Sequence, residues 1–217
     1  MALSGGIKRA FFSNCMDIAQ RAVIGVTLAA ALLTPATDAA AQVVRREYAI
    51  KAGVIGVLAQ CVTWPAGATP ARGEPLKIGI LGKDPFVENG VNQLDRFVAD
   101  EKLKGRNLIV QQYDSAKDYK PCHVLFVSSL AAAQSVEKTV QDRMKAARQV
   151  THGAAVLIIG ESAGQARQGA VANLIFDPTM NLIRLEINPD AAARSGLQLS
   201  PDLLRLKLVQ IVRDSRD

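Results

Sequence analysis

The spacing of apolar positions divides the chain into alternating strands and helices. Between Val44 and Val62, Tyr48, Ile55, Leu58 and Val62 recur at helical spacing, while Glu47 and Lys51 form an i,i+4 pair on a polar face, so a helix is predicted there. Trp64-Pro65 ends it, because a proline disfavours the α region in the residue before it. No charge occurs between Ala52 and Pro70. That stretch reads either as a buried helix with an apolar loop, or as an exposed apolar surface for a partner or a small apolar ligand. After a Gly/Pro/Ala-rich linker over 66–74, a strand is predicted over Leu76–Leu81. Gly82-Lys83-Asp84-Pro85-Phe86 closes it, and Val87, Val91, Leu94 and Val98 mark one face of an amphipathic helix stopped by Gly105.

Two more strands follow, Leu108–Tyr113 and His123–Val127. Ser128 and Ser129 open a predicted long helix with Val136, Val140 and Met144 inward and Glu137, Lys138, Asp142, Arg143 and Lys145 in water. Ala155–Ile159 is a continuous apolar run, as in a strand covered on both faces. Val171–Phe176 and Leu182–Ile187 flank the turn Asp177-Pro178-Thr179-Met180-Asn181 and predict an antiparallel hairpin. Two helices are predicted to close the chain, Pro189–Ser195 and one opened by Ser200, whose apolar face carries Leu203, Leu204, Leu206, Leu208, Ile211 and Val212. The fold class is therefore α/β: one domain, an open mixed sheet of about six strands flanked by helices, with a C-terminal antiparallel hairpin.

The N-terminus reads as an address. Lys8, Arg9 and Arg21 precede the apolar run Ala22–Leu33, and Ala39-Ala40-Ala41 offers an A-x-A cleavage site before Gln42. Residues 1–41 are thus predicted to be a cleaved signal peptide and 42–217 an exported, periplasmic domain. The apolar run, about a dozen residues, is shorter than the roughly twenty that a spanning helix needs. Three basic and two acidic residues leave with the leader, so the net charge of +6 becomes +5. Its charges are scattered rather than gathered on a stripe with aromatic residues between, which argues against nucleic acid. A modest attraction to an anionic membrane is compatible with this charge. Cys15 departs with the leader. Cys61 and Cys122 remain, either as a disulfide contributing on the order of 4 kcal/mol or as two separate buried thiols.

Gly160-Glu161-Ser162-Ala163-Gly164 matches the G-x-S-x-G elbow of serine hydrolases. A serine nucleophile needs a base, and on that fold a histidine follows the serine in the chain. His123 and His152 both precede Ser162. A secreted serine esterase using Ser162 is therefore an alternative reading, as is a carrier of a small apolar ligand. No glycine-rich phosphate loop occurs, and the adjacent Cys122-His123 lacks the spaced second pair of a closed zinc site, so no metal or cofactor is expected. If the strands are parallel, the loops 82–86, 128–129 and 160–164 share one edge of the sheet, where open α/β folds place their crevices. Trp64, Asp84, Phe86, Glu161, Ser162 and Gln165 are the candidate partner or crevice residues.

In order along the chain, "VTWP", "LKIGILGKDPF", "CHVLFVS", "GESAGQARQGAVANLIF", "LIRLEIN" and "AAARSGLQLSPDLLRL" resemble the YfiR family of exported bacterial proteins, from about Tyr48 to Val212. The resemblance implies a non-catalytic, often dimeric periplasmic α/β regulator that holds an inner-membrane diguanylate cyclase inactive by binding its periplasmic portion, lowering cyclic-di-GMP signalling. It also implies a cysteine in the first strand facing that of "CHVLF". This chain has Gly79 there, so that bridge cannot form. Cys61 stands where an aromatic residue is usual, and Gln165 replaces an expected aromatic after "GESAG".

Overall fold

Apolar runs at 124–127 and 157–160, buried at every position, form the centre of a seven-stranded sheet. The computed structural model describes residues 36–71, 73–88, 90–94 and 107–214. Along the chain come α1 (Ala36–Cys61), β1 (Val62–Thr63), β2 (Leu76–Leu81), β3 (Val87–Glu88), β4 (Val91–Asn92) and β5 (Leu108–Tyr113). A 3-10 turn at Ala116–Asp118 leads to β6 (Val124–Val127), α2 (Val140–Val150), β7 (Leu157–Gly160), β8 (Ala172–Asp177) and β9 (Leu182–Ile187). The chain continues through α3 (Pro189–Arg194), β10 (Gln198–Leu199), α4 (Pro201–Leu204) and β11 (Val209–Ile211).

The main sheet has the order β11-β9-β8-β7-β6-β2-β5. β5, β2, β6, β7 and β8 are mutually parallel, β9 is antiparallel to β8, and β11 runs parallel to β9. The order reverses between β2 and β6, the position at which open α/β sheets form a crevice beyond the carboxyl ends of their strands. One face of the sheet (Ile78, Ile80, Val124, Phe126, Leu157, Ile159) is covered by Tyr48, Ala52, Ile55 and Leu58 of α1 and by Ala191 and Ala192 of α3. The other (Leu81, Leu125, Val127, Ile158) is covered by Met144 and Ala147 of α2, with Tyr113, Ala116 and Cys122. The α/β class, the hairpin β8–β9 and its alternating burial follow the hydrophobic pattern.

Three expectations give way. The helix expected from Val87 begins instead as the antiparallel pair β3–β4. Asn89-Gly90 is a favoured hairpin dipeptide, and Gly90 has a positive φ of 77°, so turn chemistry outranks the apolar spacing. Val98 and Gly105 lie outside the described residues. The helix expected from Ser128 starts only at Val140, where the Thr139 side chain accepts from Asp142 N–H. Val136 is exposed, and Arg143, expected in water, is only 1 % exposed. The final helix is a single turn, Pro201–Leu204, followed by β11. Leu208 and Ile211 are exposed; the edge of β9 carries backbone groups that need partners, and 209–211 supplies them. The predicted leader lies outside the described residues up to residue 35, and 36–41 belong to α1. Among the described residues, no helix is long and apolar enough to cross a membrane.

Candidate functional site

The carboxyl ends of β2, β6 and β7 meet in a cluster of buried charge. Glu161, the residue after β7, has its side chain almost wholly buried and receives Lys51 Nζ of α1 at 2.6 Å. Lys51, 2 % exposed, also bonds the Glu47 carboxylate one turn earlier. The other Glu161 oxygen accepts from the Ser129 backbone N–H at 2.5 Å. Tyr48 lies beneath the cation, its ring centroid 4.7 Å from Lys51 Nζ, and its hydroxyl lies near Ser129 and Glu161. Burial, then the Glu161 charge, pushes the Tyr48 hydroxyl far above an ordinary phenol, so it stays protonated as a donor.

Arg143 completes the cluster from α2. Its Nε donates to Ser128 O at 3.0 Å, while its terminal nitrogens donate to Ser129 O at 2.7 Å and Glu137 O at 2.9 Å. One guanidinium thus satisfies three carbonyls of the loop between β6 and α2. Burial lowers its pKa, against the opposing charges of Glu137, Glu161 and Asp142.

Two glycines make this approach possible. Gly82 has φ +107°, and a β-carbon there would lie 2.5 Å from Leu130 O. At Gly160 a β-carbon would collide with Gln165, 2.4 Å from its Oε1. That oxygen accepts from the N–H groups of Glu161 (2.7 Å) and Ser162 (2.9 Å), so the GESAG turn is closed by its own glutamine. The remaining amide nitrogen of Gln165 is buried without a partner, as is Oδ1 of Asn173.

Ser162 is half-buried at this edge. His123 precedes β6 and His152 precedes β7, so both histidines occupy the opposite, amino edge of the parallel strands. His123 Nδ1 accepts from Lys77 N–H at 2.9 Å. The geometry that a serine triad needs is therefore lacking among the described residues.

Of the other candidates, Phe86 is core, packed edge-on against Tyr48 (5.6 Å between centroids) and Phe126 (5.0 Å). Asp84 accepts from Phe86 N–H and from Asn92, both at 2.8 Å. Trp64 is buried at the amino edge, edge-on to His123 at 6.4 Å. The structure thus groups Asp84, Phe86, Glu161, Ser162 and Gln165 at one edge and leaves Trp64 at the other. The apolar stretch from Ala52 packs onto the sheet through Ile55, Leu58, Val62 and Trp64, which corrects the reading of it as an open apolar surface. Lys51 and Arg143 are what the sequence reasoning missed. Lys51 looked like half of a surface pair, and only an unbroken apolar face on the rest of α1 hinted otherwise.

No disulfide joins Cys61 and Cys122. They pack in different clusters on opposite faces of the sheet, out of bonding reach. Cys122 lies over Gly79, whose missing β-carbon would stand 3.2 Å from the thiol. Burial pushes the Cys122 thiol up to about 11.

The YfiR/HmsC-like family model matches residues 48–207. No curated protein matches the chain. Among solved structures, an ABC domain from Streptococcus pneumonia in complex with L-Trp is 11 % identical, with TM-score 0.42, covering 63 % of this chain and 55 % of that one. A conserved domain protein from Vibrio cholerae is 16 % identical, with TM-score 0.36, covering 64 % and 54 %. The chain spans about half the length of these solved structures.

Proposed function

The chain belongs to the YfiR/HmsC-like family, and from that membership we propose that it is a periplasmic regulatory protein that binds the periplasmic portion of an inner-membrane diguanylate cyclase, holds it inactive and lowers cyclic-di-GMP output. The family match across 48–207 carries the reading. The arrangement of the carboxyl edge supports it. The crevice position of the sheet is filled by Lys51, Tyr48 and Arg143, and Ser162 has no histidine on its side of the sheet. Such a domain acts through its surface rather than by turning over a substrate. Export through a cleaved leader over 1–41, and a homodimer as the working unit, belong to the same proposal.

The test is direct. The exported protein is titrated against the purified periplasmic portions of the inner-membrane diguanylate cyclases of the same cell, and cyclic-di-GMP is measured in cells with and without the gene. Saturable binding and a rise of the nucleotide on deletion are expected. Absence of binding together with unchanged nucleotide would overturn the reading.

A further inference from the structure

We propose that the carboxyl edge of this domain is a membrane-docking face that seats on an anionic phospholipid surface. The inference rests on the export reading, since it needs the protein beside a membrane, but not on the identity of the cyclase.

Three separate segments converge at this edge. α1 runs against the parallel strands, with Tyr48 at their carboxyl ends and Val62 at the amino edge, so its N-terminal turns emerge beyond the sheet. The part of α1 left after export, residues 42–61, spans about 30 Å, against about 20 Å for a six-residue strand. Residues 41–46 are exposed at every position. The β3–β4 hairpin leaves β2 at the same edge, and the 178–181 turn leaves β8 there. Two arginines tie them together. Arg45 reaches Glu88 at 3.8 Å, and Arg46 donates to the Asn181 side-chain oxygen at 3.0 and 3.2 Å with that amide turned to face it.

Each segment presents aliphatic side chains to solvent. Val44 is 50 % exposed, Val87 53 % and Met180 68 %, and Val43 and Leu182 on the same segments are exposed as well. Turn tips ordinarily carry polar residues, so an apolar Met180 tip beside an exposed Val87 strand and an apolar helix start form an unusual concentration on one edge. The surface is made of projections rather than a groove, which suits insertion between lipid headgroups better than the grip of a peptide. The Arg45–Glu88 pair is long and solvent-exposed, so the Arg45 guanidinium can exchange Glu88 for a lipid phosphate, while Arg46 holds the 178–181 turn in place. The net charge of +5 that remains after residues 1–41 leave adds a general attraction. In sequence, α1 follows directly on the apolar run Ala22–Leu33, so this end of the domain is the one joined to the segment that engages the membrane during export.

The experiment is co-sedimentation of the exported protein, its N-terminus read by mass spectrometry, with vesicles of phosphatidylethanolamine and phosphatidylglycerol, and with vesicles of phosphatidylcholine alone. Binding to the anionic vesicles is expected, weakened by salt. Val44→Asp, Val87→Asp and Met180→Asp should each lower the partition coefficient about tenfold, because each withdraws one aliphatic side chain from the interface. Val150→Asp, at the end of α2 on the opposite edge, should not. Thermal melting of each variant checks that the fold is kept; where one aspartate variant melts early, the corresponding serine variant replaces it. The proposal is overturned by absence of binding to anionic vesicles, by binding that survives in all three edge variants, or by equal loss in Val150→Asp. It is also overturned if sedimentation velocity shows that the three substitutions dissociate a dimer, which would make the face an interface between copies. Absence of lipid binding by the unsubstituted protein, with cyclase binding present, would remove this inference and leave the proposed function standing.

Discussion

The two edges of the parallel strands solve the same problem in opposite ways. At the carboxyl edge, strand ends and loop carbonyls are satisfied by buried charge: Lys51 on Glu161, and Arg143 on Ser128, Ser129 and Glu137. At the amino edge they are satisfied mainly by uncharged side chains, and the one charged partner, Asp214 on Asn188, is paired with Arg194 near solvent. Asn188 accepts from Asp190 and Ala191 N–H, both at 3.0 Å, and donates to Ala166 O at 2.7 Å, while His123 accepts from Lys77. Charge buried in low dielectric is secure only while every partner stays, whereas a neutral cap fails gently. The edge with the hydrolase-like motif is thus the one with most to lose from a single substitution.

The sharpest test of that contrast is Lys51→Met. It leaves the Glu161 carboxylate buried without its cation and should cost about 3–5 kcal/mol, read from urea midpoints. The double change with Glu161→Gln should recover much of the loss; equal costs for single and double variants would show that the pair is not coupled. Arg143→Met should cost about 2–3 kcal/mol through the orphaned loop carbonyls, with faster amide exchange over 128–139. At the other edge, Asn188→Ala should cost about 1–2 kcal/mol, as loss of a helix cap does. If it rivals Lys51→Met, the two edges are not different in kind.

Acid should act at both edges in the same direction. For Glu137, burial alone would raise the pKa, but hydrogen bonds from its own backbone and from Ser115, Ala116 and Ser135 bring it below its ordinary 4.5. For Asp214, burial is likewise outweighed, by Arg194 and Asn188, and the carboxyl falls below 3.8. A carboxyl depressed on folding contributes stability above its ordinary pKa and loses it as pH falls through the folded value. Melting temperatures should therefore begin to drop below about pH 4.5, and Asp214→Asn should flatten the lower part of that profile. The smallest effect belongs to Ser162→Ala, within about 0.5 kcal/mol. Turnover of a chromogenic ester that vanished in this variant would revive the esterase reading.

Much of the fold was legible because burial on a pleated strand or a helical stripe leaves a period in the sequence. α1 over most of its length, β2, β5, β6, β7, the β8–β9 hairpin and α3 all appear close to their expected limits. The failures are local and have causes. At 87–92 a two-residue turn signal competed with an apolar spacing of four. At 128–139 the loop is held by Arg143, fifteen residues from Ser128, which no local window contains. At 205–211 alternating leucines were read as a helix face, while the free edge of β9 drew the segment out as a strand.

The candidate site divides the same way. Sequence alone placed 82–86, 128–129 and 160–164 at one edge, and excluded a histidine downstream of Ser162, since both follow from chain order. It also carried the family, whose short motifs survive in sequence. Only the tertiary structure decided that Glu161 meets Lys51 across 110 residues, that Cys61 and Cys122 stand on opposite faces of the sheet, and that both histidines face away from the GESAG turn. Periodicity records how a residue is oriented to the core, whereas an ion pair, a thiol's neighbour or a base's reach depends on which distant segments the sheet order brings side by side.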